Sequence, residues 1–213
     1  MIARRVLLAC GLLAGVGLHA QSSSDAERVA GQRIDAIVRD FDRRGLPTDL
    51  LKAKVAEGTA KGATPTRIAD AVALLASRVD SVARLLAPAV TAPELHAGAE
   101  ALAVGVSAPS LRTLRMAAGR HSAEPYFLFV IRLVRRGVTQ EQAVRAARAL
   151  IDRQVASNTL LALADDLARD VASGVAPDAA LNDRMTKLVG GFGPSTASGT
   201  FHPTGITNLG GKP

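Results

Sequence analysis

The sequence is poorest in the residue types on which most binding and catalytic chemistry is built. Among 213 residues there is one cysteine, no tryptophan, one tyrosine and five phenylalanines, so aromatic residues make up 3% of the chain. The lone Cys10 lies in an apolar N-terminal run that reads as an export signal, so a chain processed after Ala20 carries no cysteine. That processing excludes a disulfide framework, a thiolate nucleophile and a thiolate metal site. Histidine is nearly as scarce. His19 falls in the signal, and His96, His121 and His202 stand apart without HExxH or a paired spacing, so neither a metal nor a cofactor is expected. The G-x-S-x-G elbow, the phosphate loop and the G-x-G-x-x-G fingerprint are missing too, which leaves an enzyme of familiar type without support.

What is present begins with a targeting pattern. Arg4 and Arg5 are followed by an apolar run from Val6 to Leu18, and Leu18-His19-Ala20 places a small residue before a cut at Gln21. This is the grammar of a secretory signal peptide, 1–20, and its apolar run is too short for a spanning helix, which needs about 20 apolar residues. Leu7-Leu8-Ala9-Cys10 formally matches a lipoprotein box, but too few apolar residues precede Cys10 and the run continues past it, which argues against lipidation. The expected location is the periplasm, or secretion from a bacterial envelope, with no transmembrane span in the processed chain.

From there to Val189 the chain repeats one sign: a glycine, an apolar residue, then Ser, Thr, Ala or Pro ahead of a new apolar stripe. It occurs at Gly45-Leu46-Pro47, Gly62-Ala63-Thr64-Pro65, Gly105-Val106-Ser107, Gly137-Val138-Thr139 and Gly174-Val175-Ala176-Pro177. Glycine after a last turn can take the left-handed conformation, the apolar residue can fold back on that turn, and the next residues cap the following helix. The glycines are 17, 43, 32 and 37 residues apart, so the units share a grammar and not a length.

Between the signs, apolar residues recur at helical spacing. The first helix is expected from the capping box Ser24-Asp-Ala-Glu27, with Val29, Ala30, Ile34, Ile37, Val38 and Phe41 inward. The second, about 48–60, buries Leu51, Val55 and Thr59; the third carries Ile68, Val72, Leu75, Val79, Val82 and Leu86; Thr91-Ala-Pro-Glu94 caps a fourth. Pro109 to Gly119 forms a short fifth. Tyr126 to Ile131 is apolar on every side and marks the sixth as central. Thr139 and Gln142 cap a seventh, Leu160, Ala164, Leu167 and Val171 stripe an eighth, and a last helix runs from about Pro177 to Val189. Short joints make neighbours antiparallel. The expected fold is therefore all-α: one domain over 21–189, an irregular stack of eight or nine short antiparallel helices, solenoid-like or an orthogonal bundle. Residues 190–213, rich in Gly and Pro with Phe192, Phe201, Ile206 and Leu209 interspersed, read as a flexible tail.

The run from Gly45 to Gly62, G-L-P-x-x-L-L-x-x-K-V-x-E-G-x-x-K-G, with the helices and Gly/Pro-rich end that follow, resembles a group of exported all-helical bacterial proteins. The resemblance covers most of the processed chain and brings no activity, ligand or site residue with it.

Charge supplies the remaining signal. The formal net charge is +7, and loss of Arg4 and Arg5 leaves +5. From Gly105 to Arg153 nine arginines face only Glu124, Glu141 and Asp152, so the basic excess sits in the middle of the domain. Arg112 and Arg115 are a turn apart, as are Arg132 and Arg135 or Arg136, and Arg145 and Arg148. If these faces converge beside Tyr126 they form a binding surface for phosphate, carboxylate polymers or an acidic protein. Nucleic acid fits an exported chain with so small an excess poorly. Lys54, Glu57 and Lys61 share a helix face and read as a solvated ladder, His121 as helix-end polarity, and adjacent Asp165 and Asp166 diverge by about 100°. The leading function is a non-catalytic scaffold or adaptor for a protein partner in the envelope. The alternatives are binding of an anionic glycan or lipid headgroup by the arginine-rich middle, and an envelope enzyme of unrecognised type. Oligomeric state is not legible.

Overall fold

The computed structural model describes residues 17–88 and 90–190. Most of the expected signal peptide, with Cys10, and the expected tail from 191 onward lie outside the described residues. Among the described residues the chain is all helical, in the order α1 (Gly17–Arg43), α2 (Asp49–Ala60), α3 (Pro65–Leu86), α4 (Ala92–Ala103), α5 (Ala108–Ala118), α6 (Glu124–Arg135), α7 (Gln140–Asp152), α8 (Ser157–Ala172) and α9 (Pro177–Gly190). No helix among them is long and apolar enough to cross a membrane.

The joints follow the expected grammar. After α6, Gly137 takes φ +89 and the Val138 amide donates to the Leu133 carbonyl at 3.1 Å, a bond that reaches back five residues and turns the apolar side chain inward. The same bond closes α1 (Leu46 to Phe41), α2 (Ala63 to Gly58), α4 (Val106 to Ala101) and α8 (Val175 to Asp170). One joint departs in residue and not in shape. Gln154 at φ 52 stands where glycine is expected, and Val155 still donates to Leu150 at 3.1 Å.

Helices two apart along the chain lie side by side, which builds two layers. The pairs α1 and α3, α3 and α5, and α5 and α7 pack together in one layer, and α4, α6 and α8 pack in sequence in the other. Arg33 reaches Asp70 at 2.6 Å and Arg44 reaches Asp80 at 2.8 Å, so the ion pairs advance together along α1 and α3 and these two run parallel. The centre is α6, which touches α4, α5, α7 and α8. It buries Tyr126, Phe127, Phe129, Val130, Ile131 and Leu133, as its all-round apolar sequence predicts. Elsewhere the core relies on small residues. On α4, Ala97, Gly98, Ala99 and Ala101 are buried, and a Cβ at Gly98 would lie 2.6 Å from Val82 Cγ1. Glycine at 98 is what lets α3 and α4 approach this closely.

Local expectations fail where a neighbour intervenes. Helix α1 begins at Gly17, so Ser24 and Glu27 lie within a continuous helix and not at its start. Val29, expected inward, is 56% exposed. Thr59 is exposed on α2, its hydroxyl donating to the Val55 carbonyl at 3.0 Å. Thr139 makes no side-chain cap. Its amide donates instead to Asp178 Oδ1 at the start of α9, at 3.0 Å.

Candidate functional site

Of the residue groups singled out in the sequence, the structure brings one together in a hollow. Helix α6 is apolar for its first turns and ends on Arg132, Arg135 and Arg136, where cations are favoured by the negative end of the helix dipole. These three arginines form one wall of an open hollow of about 480 Å³ between α6 and α8. Ala164 and Ala168 form its floor, and Asp165 stands on the opposite wall. Small floor residues leave depth that longer side chains would fill.

The hollow is mixed in charge but not neutralised. Arg135 donates to Glu100 of α4 at 2.6 Å, and Arg132 lies 3.5 Å from Asp165, beyond good hydrogen-bond distance. Arg136 has no side-chain partner among the described residues. Each guanidinium carries five N–H donors. Within the described residues Arg135 engages one of its donors, and Arg132 and Arg136 engage none. The side chains of Arg132 and Arg135 are 46% and 56% exposed, so these ion pairs sit in high-dielectric surroundings and exchange readily for another carboxylate.

The other expected members do not join them. Arg112 is exposed on α5, which packs between α3 and α7 in the opposite layer. Arg115, one turn on, is drawn inward: its Nη1 donates to the Gly119 carbonyl at 2.7 Å and its Nε lies 3.5 Å from Glu94 Oε1. Tyr126 is buried at the far end of α6, about 9 Å along the axis from Arg132 at 1.5 Å per residue. Burial pushes its phenol up. A surface combining all of these with Tyr126 does not exist, because Glu94 captures Arg115 and the core takes Tyr126. Arg145 and Arg148 are paired along their own helix with Glu141 and Asp152.

The capture of Arg115 exposes a residue that sequence reading valued only as a cap. Glu94 is 1% exposed, the sole buried charged residue among those described. Its Oε2 accepts from the Thr91 amide at 3.0 Å and the Thr91 hydroxyl at 3.2 Å, closing the capping box of α4. Its Oε1 accepts from the Ala123 amide at 2.8 Å, at the start of α6. Burial pushes the carboxyl up, but the Thr91 and Ala123 amides and the Arg115 charge outweigh it and hold the group below its ordinary value. One carboxylate thus closes two helices, and its lone pairs are committed to structure. The signal for this was faint: a Glu three residues after a Thr cap, in a helix made mostly of Ala, Gly and Leu.

The remaining candidates are ordinary in place. Lys54 and Lys61 both reach Glu57 on an exposed face, and their hydrogen bonds hold its carboxyl at about 2. Asp165 faces Arg132 while Asp166 turns to Arg169 and Arg184, so the adjacent carboxylates diverge as expected. His96 and His121 are exposed. Among the described residues no group of three or more His, Cys, Asp or Glu is placed to hold a metal ion. No protein-family model matches the chain, and no curated protein and no solved structure matches it significantly, so the reading of the site rests on its geometry.

Proposed function

We propose that this chain is an exported scaffold or adaptor of the bacterial envelope, binding a protein partner without chemistry of its own, and that it belongs with the exported helical proteins sharing its Gly45–Gly62 module. The observation that carries the reading is the two-layer stack itself. Helices laid side by side present extended faces whose polar residues are free to meet a partner, the arrangement by which stacked helical repeats bind other proteins. The buried carboxylate, the group most suited to chemistry by its environment, is fully engaged in capping.

The test is affinity capture by residues 21–213 from envelope extract at low and high salt, with mass spectrometry and then a titration against the purified candidate. A specific protein held at high salt and binding in the titration supports the adaptor. Absence of any retained protein in both conditions counts against it. A second reading, an anionic glycan or lipid headgroup as ligand, draws on the arginine hollow and expects retention at low salt only.

A further inference from the structure

We infer that the hollow between α6 and α8 is the docking site for an acidic polypeptide segment of the partner, an inference that rests on the adaptor reading and names the surface it uses. Charge is the first argument. Arg132, Arg135 and Arg136 lie within one and a half turns on one wall, and most of their N–H donors are unengaged within the described residues. Guanidinium forks suit carboxylates because two parallel N–H donors match two oxygens.

The second argument separates a peptide from other anions. Asp165 shares the hollow, 70% exposed, with Arg132 too far away to donate a good hydrogen bond to it. A phosphate or sulfate group would bring concentrated negative charge against that carboxylate. A peptide brings single carboxylates spaced along a chain, one for each arginine, and its backbone N–H groups supply donors that Asp165 can accept. Ala164 and Ala168 on the floor allow that backbone to approach closely. The pairs of Arg135 with Glu100 and of Arg132 with Asp165 restrain these two guanidinium groups before binding, which reduces the ordering cost.

The experiment is a fluorescence anisotropy titration of the full chain with a labelled peptide of alternating glutamate and alanine, and with the same peptide carrying glutamine for glutamate. Arg132→Gln/Arg135→Gln/Arg136→Gln should raise Kd for the glutamate peptide at least about tenfold. A control with the same loss of charge, Arg112→Gln/Arg145→Gln/Arg148→Gln, should change it by less than about twofold. Circular dichroism confirms that both triple variants are folded. Equal losses in the two triples would overturn the site, since binding would then follow net charge alone. So would inorganic phosphate competing as well per charge as the peptide, or tighter binding to phosphatidylglycerol vesicles than to the peptide, which would assign the hollow to a phosphate group. Asp165→Asn sharpens the choice: it should tighten phosphate and fail to tighten the peptide. If a protein is captured from envelope extract equally by the native chain and the hollow triple, the adaptor survives and this site does not; if the native chain captures none, both fall.

Discussion

Replacing Glu94 by glutamine tests the central physical claim, that a single buried carboxylate closes two helices, α4 and α6, of one layer. The change keeps size and shape but leaves one acceptor oxygen where two are used, by the Thr91 and Ala123 amides. An NH₂ group would face one of those N–H donors, and a buried donor without a partner costs about 1–3 kcal/mol. Arg115, whose side chain is 19% exposed, also loses its counter-charge, which brings the expected loss to about 2–4 kcal/mol. For a fold of this size that lowers Tm by about 5–15 °C. The effect has a pH signature. The folded carboxyl lies below its ordinary value of 4.5, so the stability it contributes is fully present above that value and disappears as pH falls through the lower, folded one. Urea unfolding followed by circular dichroism should therefore show native and Glu94→Gln chains far apart at neutral pH and converging in acid. A loss below about 0.5 kcal/mol at neutral pH, or a difference that does not shrink in acid, refutes the reasoning.

Other expectations follow from packing and backbone shape. Gly98→Ala gains helix propensity of about 1 kcal/mol but drives a methyl into Val82, and overpacking costs about 1–3 kcal/mol, so the net change should be destabilising; Val82→Ala in the same chain should recover part of it, as read by thermal unfolding. Gln154→Gly, at a left-handed position held by a non-glycine residue, should stabilise by about 0.5–1 kcal/mol in urea, and a loss of stability would show that the side chain has another role. Leu133→Ala, fully buried on α6, should cost about 2–5 kcal/mol. Lys54→Gln on the exposed ladder should leave the melting temperature unchanged within error, because both partners of the pair are solvated.

What the sequence made legible was local. Helix ends at Gly45, Gly62, Gly105, Gly137 and Gly174, the Thr91–Glu94 box and the central burial of α6 depend on residues within a few positions of one another, and each appears as read. The errors share a cause in longer range. Thr139 gives up its cap because Asp178 meets its amide from 39 residues away, and Arg115 leaves the surface because Glu94 lies on the helix before its own. Val29 breaks the α1 stripe because the helix is covered chiefly on the side of α3, and at that level the covered side is the one Ala30 takes, about 100° around the helix from Val29. The arginine hollow was half visible. The spacing of 132, 135 and 136 marked one wall, but Asp165 and the alanine floor come from α8, and no local pattern announces which helix will stand opposite.

The ties between alternate helices have a consequence for how such a chain could change over time. Ser107 donates its amide to Gln140 at 3.0 Å, Thr139 to Asp178, and Ala123 to Glu94, so the opening turn of one helix is completed by a side chain one hairpin away. In arrays of interchangeable repeats a unit can be duplicated or lost and its neighbours close over the gap. Here excision of the α6–α7 hairpin would leave Glu94 Oε1 without the Ala123 amide, open the Ser107 and Asp178 ends together, and leave two mismatched faces in contact. The stack has the outline of a modular protein and the interdependence of a single-piece one, and its number of helices is expected to be inherited whole.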